Sequence, residues 1–277
     1  MPMLKSALKE VLNEEEIKHL SSAFDVIGDI AIIRIPSELT GKESLIGEEL
    51  LRHLKNVTTV LKQDSDVQGE YRIRKVSRIA GEEKYETFYK ENGVTIKVDV
   101  SSVYFSPRLS TERSRIASLV SQGEVIFNMF AGVGTFSFIL AKSASCTVHS
   151  VDVNPDAIRL AEESIALNRR LKGKIIPVLS DAAEYAIAHQ GEFDRILMPL
   201  PERSKEFLPY AVQSAKKSGA IIHYYVHVPQ ESFEDKSWIE KHLADAGIGK
   251  DYKVRLWKRV REVGPRYIQA VADIELL

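Results

Sequence analysis

From about residue 111 to residue 227 the sequence alternates between two hydrophobic periods. Runs with strand character cover 125–130, 147–152, 175–179, 195–198 and 220–227. Between them, helical spacing covers 135–142, 155–169, 182–188 and 205–214. Strands that alternate with helices in this way cannot be joined by tight hairpins. They require crossover helices, and so a parallel sheet with helices on both faces. The earlier part of the chain reads differently. Strand-like pieces lie at 23–35, with a turn at Gly28 and Asp29, and at 58–61, 71–79, 85–90 and 94–98, with one helical stretch over 43–54. The expected organisation is therefore a short helical extension over 1–22, a small α+β domain over 23–104, and a doubly wound, Rossmann-like α/β domain over 105–277.

Composition excludes several classes. No run approaches the roughly 18 apolar residues that a membrane span requires. The first thirteen residues, MPMLKSALKEVLN, lack the apolar core and small-residue cleavage site of a secretory signal. One cysteine, Cys146, allows neither an internal disulfide nor a cysteine-based metal cluster. The seven histidines show no ligand spacing, so no metal is expected. A cytoplasmic monomer is the expectation. Thirty-eight basic against thirty-nine acidic residues leave a net charge of −1, so any anionic partner must be met by local patches. Two segments qualify: Arg72, Arg74, Lys75 and Arg78 in one, and Lys253, Arg255, Lys258, Arg259, Arg261 and Arg266 in the other. Strict alternation in the second segment puts Lys253, Arg255, Trp257 and Arg259 on one strand face. A solvated edge strand explains the same charges.

Three loops fall at the carboxyl ends of expected strands, where open α/β sheets bind ligands. Phe130-Ala131-Gly132-Val133-Gly134 follows the first strand, and its glycines let backbone approach a ligand closely. A tight turn would also want those glycines. Asp152 closes the second strand, where a carboxylate can accept both hydrogens of a ribose diol, and Val153 follows it. Ser180-Asp181-Ala182 follows the third and can meet the exocyclic amine of an adenine. A dinucleotide site would want a third glycine where Ser137 stands. Its absence, with Asn154-Pro155 after the acidic residue, favours S-adenosylmethionine over NAD.

Four ordered motifs, FSPRLSTER over 105–113, FAGVG over 130–134, DVNP over 152–155 and IIHY over 221–224, resemble the archaeal and eukaryotic tRNA guanine-N1 methyltransferases, which modify the guanosine 3′ of the anticodon. The likeness runs from about residue 25 to the C-terminus. It implies an S-adenosylmethionine-dependent methyltransferase domain, a tRNA-contacting first domain, and binding to the anticodon stem-loop region. It implies Glu112 as the base that takes the N1 proton and Arg72 as the cation that faces O6. The implied cofactor-binding set is Tyr104, Ser106, Arg113, Asn128, Phe130, Gly132, Gly134, Asp152, Val153, Asp181, Ala182 and Pro199. Arg113 would face the cofactor carboxylate or tRNA phosphates, and Tyr104 and Phe130 would flank the adenosine or target base.

Departures from that pattern carry information too. The family's Asn-Leu-Pro after the fourth strand, whose amide holds the target base, is Pro199-Leu200-Pro201 here. The usual aspartate before the glycine loop is Asn128, and the proline that usually follows the loop is Thr135. Alternatives therefore include methylation of a wyosine-type precursor, aminocarboxypropyl transfer in wybutosine synthesis, and a non-catalytic tRNA-binding relative. The bland reading of Glu112 is a partner along its own helix, and of Arg72 a surface charge.

Overall fold

The computed structural model describes residues 6–20, 24–217, 219–249 and 251–277. The chain divides into two units, Met1–Arg108 and Leu109–Leu277. The change of sequence pattern places this division close by, at about residue 105. The expected boundary at 22/23 lies outside the described residues.

In the first unit, helix α1 (Glu14–His19) starts with a reciprocal cap. Asn13 accepts from the Glu16 N–H, and the Glu16 carboxylate accepts from the Asn13 N–H. Strands β1 (Phe24–Ile27) and β2 (Ile30–Ile33) form an antiparallel hairpin. Helix α2 (Glu43–His53) then carries the chain over to β3 (Thr59–Gln63), which runs parallel to β2, and β4 (Val76–Gly81) completes a sheet of order β1-β2-β3-β4. Leu8, Ile33, Leu39, Ile46, Leu50 and Val60 form part of its core. A second, two-stranded ribbon pairs β5 (Glu86–Glu91) with β6 (Val94–Asp99). Gly28 marks where ribbon and hairpin meet. Its φ is +57°, and a Cβ there would fall 2.0 Å from Thr87 Oγ1. Asp29 fixes the contact by accepting from Thr87 Oγ1 at 2.6 Å and from Lys84.

The strand expected over 71–79 begins only at Val76. Ahead of it the backbone turns, with Gly69 and Arg72 both at positive φ and the Arg72 N–H donating to the Gly69 carbonyl at 3.1 Å. The β-forming side chains of Tyr71 and Ile73 conceal that turn.

In the second unit, α3 (Ser110–Ala117) precedes β7 (Val125–Asn128), α4 (Thr135–Ser143), β8 (Thr147–Asp152), α5 (Pro155–Leu167), β9 (Lys174–Leu179), α6 (Ala182–Ala188), β10 (Arg195–Met198), α7 (Ser204–Ser214) and β11 (Ile221–Pro229). Helix α8 (Lys236–Asp245), absent from the expected elements, leads to β12 (Tyr252–Glu262) and β13 (Tyr267–Leu276). The sheet order is β12-β13-β11-β10-β7-β8-β9. The pairs β11/β10, β10/β7, β7/β8 and β8/β9 are parallel. The strands expected to run parallel do so, and β13, which lies beyond them in sequence, is antiparallel to both its neighbours. A hairpin from β12 delivers it there, and a hairpin reverses direction by construction.

The face assignment in β12 is corrected. Val254 pairs with Ile274 and Leu256 with Asp273, which leaves Arg255 as an inserted bulge residue. Side-chain parity flips there, so Val254 and Trp257, three residues apart, both pack on one apolar cluster. Arg255 pairs with Glu275, Arg259 with Glu262 at 2.6 Å, and Arg261 Nε donates to Gln269 at 2.7 Å.

Candidate active site

Strand order reverses at β7, with β8 on one side and β10 on the other, and ligands of open α/β sheets lie at that switch point beyond the carboxyl ends. The loop after β7 turns through Gly132 at φ +54° and Gly134 at φ +78°. A Cβ on Gly134 would sit 3.3 Å from the Phe138 ring and 3.4 Å from Ser150 Oγ, so glycine is required both for its backbone angle and for its neighbours. The Ala131 N–H donates to the Val151 carbonyl at 2.9 Å, and the Gly132 N–H to Asp152 Oδ2 at 2.7 Å. Asp152 Oδ1 accepts from the Asn154 N–H at 3.0 Å. The carboxylate thus fastens the glycine loop to the start of α5. Burial pushes its pKa above the ordinary carboxylate value, opposed by the N–H groups of Asn154, Gly132 and Val153. Asn154 in turn caps α5 by accepting from the Asp156 N–H at 3.0 Å, and Pro155 occupies the first turn.

At the end of β9, Asp181 caps α6 through Oδ1, accepting from the N–H groups of Ala183 at 2.7 Å and Glu184 at 3.2 Å. Ala182 is buried behind it. Phe130 is half-buried and packs edge-on against Phe207, with ring centroids 5.0 Å apart. Pro199 is half-buried and directly follows β10. The structure therefore gathers Phe130, Gly132, Gly134, Asp152, Val153, Asp181, Ala182 and Pro199 at the carboxyl ends of four adjacent strands. Glycine backbone, a partly exposed carboxylate and a second carboxylate one strand away suit an adenosine with its ribose diol. Asn128 lies beneath this floor. It is fully buried, its amide donates to Ser137 Oγ at 3.1 Å, and Ser137 and Ser150 share a 2.8 Å hydrogen bond. Its Oδ1 has no hydrogen-bond partner among the described residues. Its side chain is thus held beneath the loop that the sequence marks for the cofactor.

Tyr104, Ser106 and Arg72 belong to the first unit. Arg72, at φ +55°, holds its guanidinium 4.5 Å from the centroid of the Tyr104 ring. A non-glycine residue at positive φ is a strained one, and such strain concentrates at functional positions.

Glu112 is 4% exposed, and Arg113 beside it is buried as well. Both Glu112 oxygens accept from Arg115, Oε1 from Nη2 at 2.7 Å and Oε2 from Nε at 2.9 Å. Oε1 also accepts from the Tyr225 hydroxyl at 2.9 Å. The other edge of the same guanidinium donates to Asp273, at 2.6 Å and 3.1 Å. Beyond Asp273 stands His223, then Arg195, then Glu124. Arg195 Nη1 can only donate, so His223 Nε2 accepts and Nδ1 carries the proton that goes to Asp273 Oδ1 at 2.6 Å. Burial lowers the His223 pKa despite Asp273. Burial opposes the Asp273 charge, yet His223 and Arg115 hold its carboxyl down at about 2. Burial also opposes the Arg115 charge, and the bonds to Glu112 and Asp273 outweigh it and raise the guanidinium pKa. The Tyr225 phenol is pushed well up, by burial first and then by Glu112.

Arg115, Tyr225, Asp273 and Arg195 are absent from the set expected on sequence grounds. Local pattern bears on two of them, Arg115 and Tyr225, without joining Tyr225 to Glu112. Glu112 and Arg115 have helical i,i+3 spacing, and His223 and Tyr225 alternate onto one face of β11.

Comparison with known proteins agrees with this geometry. The family model of the TRM5/TYW2 methyltransferase domain matches residues 87–253, and that of the TYW2 N-terminal domain matches 4–84. The tRNA (guanine(37)-N(1))-methyltransferase Trm5b of Pyrococcus abyssi is 40% identical over 275 residues, which span 98% of this chain and 80% of the relative. The tRNA 4-demethylwyosine(37)-methyltransferase Taw21 of Saccharolobus solfataricus is 32% identical over 275 residues, 98% of this chain and 99% of the relative. Among solved structures, the complex of aTrm5 with tRNALeu matches with a TM-score of 0.85 at 32% identity, covering 100% of this chain and 78% of that one. Family model, relatives and solved structures agree: the chain belongs to the TRM5/TYW2 methyltransferase family.

Proposed function

We propose that this chain transfers a methyl group from S-adenosylmethionine to N1 of the guanosine 3′ of the tRNA anticodon. The observation that carries this reading is the near full-length likeness, at 40% identity, to a relative named for guanine(37)-N(1) methylation. When bound, S-adenosylmethionine supplies a methyl group made electrophilic by the positive sulfur. The residues of the crevice would hold it: Asp152 would accept from the ribose hydroxyls, Asp181 would meet the adenine amine through the oxygen its helix cap leaves over, and Gly132 and Gly134 would let backbone approach closely. Glu112 would take the proton from N1, the atom that the methyl group is to join. The resemblance in sequence implies Arg72 as the cation that would offset negative charge building on O6.

A second reading, methylation of 4-demethylwyosine at the same tRNA position, has its own support. Pro199 stands where the guanine-specific pattern has an asparagine, and Taw21 matches this chain over 99% of its own length. Mass analysis of tRNA products separates the readings. Unmodified tRNA and tRNA bearing 4-demethylwyosine are each incubated with S-adenosylmethionine and the protein. The first reading expects one added methyl on the unmodified tRNA. A methyl on the modified tRNA alone supports the second, and an added aminocarboxypropyl group or no addition to either rejects both.

A further inference from the structure

The carboxylate of Glu112 is held unequally. Oε1 accepts three hydrogen bonds, from Arg115 Nη2 at 2.7 Å, Arg115 Nε at 3.1 Å and Tyr225 Oη at 2.9 Å. Oε2 accepts one, from Arg115 Nε at 2.9 Å. A carboxylate oxygen has two lone-pair directions, so Oε1 is filled and the remaining capacity lies on Oε2. Tyr225 is fully buried on β11 and Asp273 is almost fully buried on β13, so neither anchor can shift without repacking the sheet. Arg115 cannot rotate freely either, because Asp273 holds its second edge by two bonds. Three elements distant in sequence thereby fix one carboxylate rotamer. A carboxylate needed only to steady α3 would be served by the Arg115 pair alone.

We propose that Tyr225, Arg115 and Asp273 are positioning residues that pin Oε1 of Glu112 and present Oε2 as the proton-accepting atom. This rests on the reading of Glu112 as the general base. Tyr225 removes itself from Oε2 by bonding Oε1, and as a phenol that stays protonated it remains a donor rather than a competing anion. Asp273 keeps the Arg115 guanidinium in the plane that bridges both carboxylates. Arg115→Lys keeps a charge but loses the planar fork, so it should not substitute.

A double-mutant cycle on single-turnover methyl transfer tests this, with saturating S-adenosylmethionine and an unmodified tRNA transcript. Tyr225→Phe, which removes one oxygen and preserves the ring, should slow transfer about tenfold, as expected when a hydrogen bond to a charged group is removed. Its cofactor affinity should equal that of wild type. In a Glu112→Gln background the same change should have no further effect, because the group it positions no longer accepts the proton. Asp273→Asn should behave in the same way, and where it fails to fold, the Tyr225 cycle decides alone. Equal slowing by Tyr225→Phe in both backgrounds overturns the positioning role, as does an unchanged rate in the wild-type background. If Glu112→Gln alone transfers methyl at the wild-type rate, the base assignment itself falls, and the proposal with it.

Discussion

His223 and Asp273 stand directly opposite one another on the antiparallel strands β11 and β13, and the imidazole Nδ1 donates to the carboxylate at 2.6 Å. The pair is buried, and Arg195 on the far side of the ring forbids a second proton at Nε2. This arrangement makes stability depend on pH in a definite direction. The unfolded imidazole binds a proton below about pH 6.5, whereas the folded one, its pKa lowered, does not. Stability should therefore fall with decreasing pH below that point, by up to ~1.4 kcal/mol per unit. Asp273 acts in the same direction in a lower window. Its contribution is complete above the unfolded carboxylate value of about 3.9 and is lost as pH falls toward about 2. Denaturant unfolding at pH 7.5 and pH 5.5 should show the first loss, and His223→Gln should reduce it. His149 and His242, also lowered by burial, should supply what remains. An identical pH difference in His223→Gln would contradict a neutral His223.

Asp152→Ala should weaken S-adenosylmethionine binding at least tenfold. The substitution removes charge-assisted bonds, each worth about 1.5–3 kcal/mol, from the ribose. It also frees the N–H groups of Gly132 and Asn154, which the carboxylate joins. Titration calorimetry is the check, and unchanged affinity would remove the cofactor from this crevice.

Pro199→Asn restores an amide where the present side chain can neither donate nor accept. If the substrate is guanosine, kcat/KM on unmodified tRNA should rise, by about tenfold for one good hydrogen bond to the base. If the substrate is 4-demethylwyosine, the activity on that base should fall while the activity on guanosine appears. No change on either substrate would mean that position 199 does not touch the base.

The two basic segments should contribute unequally to tRNA binding. Affinity should fall with log[salt] in proportion to the number of phosphates that the protein neutralises. Lys75→Ala should make the slope shallower by ~0.7–0.9 for the phosphate no longer neutralised. Arg255→Ala with Arg259→Ala should change it little, because Glu275 and Glu262 already neutralise those side chains. Filter binding across a salt series distinguishes the variants, and equal shallowing by both would restore β12 as a docking strand.

The α/β alternation is legible because buried parallel strands and amphipathic helices differ in period. The elements Ala182–Ala188 and Arg195–Met198 have the expected bounds. Period carries no strand direction, so the reversal of β13 cannot be read from it. The loops around Gly132, Asp152 and Asp181 are legible because they are local to strand ends. Arg115 is within helical reach of Glu112 and so is legible too, but Tyr225 and Asp273 are not, since Tyr225 lies 113 residues further on and Asp273 lies 158 residues beyond Arg115. Pairings of that range leave no mark on local pattern. Arg255 shows the opposite limit, where one inserted residue reverses the faces of a strand whose alternation looks regular.

Strand β13 has a consequence for how this protein comes into being. It lies between β11 and β12, and Asp273 on it closes the buried chain of charges around Glu112. During synthesis the earlier strands, β7 to β11, emerge and can associate before residues 267–276 exist. Until then the exposed edge of β11 is unpaired, and Arg115 and His223 lack their shared carboxylate. The crevice loops therefore all precede residue 273 in the chain, while the buried charges around Glu112 are complete only once Asp273 is in place. Residues 130–199 supply the crevice, whereas the support beneath Glu112 waits on a strand made of residues 267–276, so the two depend on different stretches of the chain.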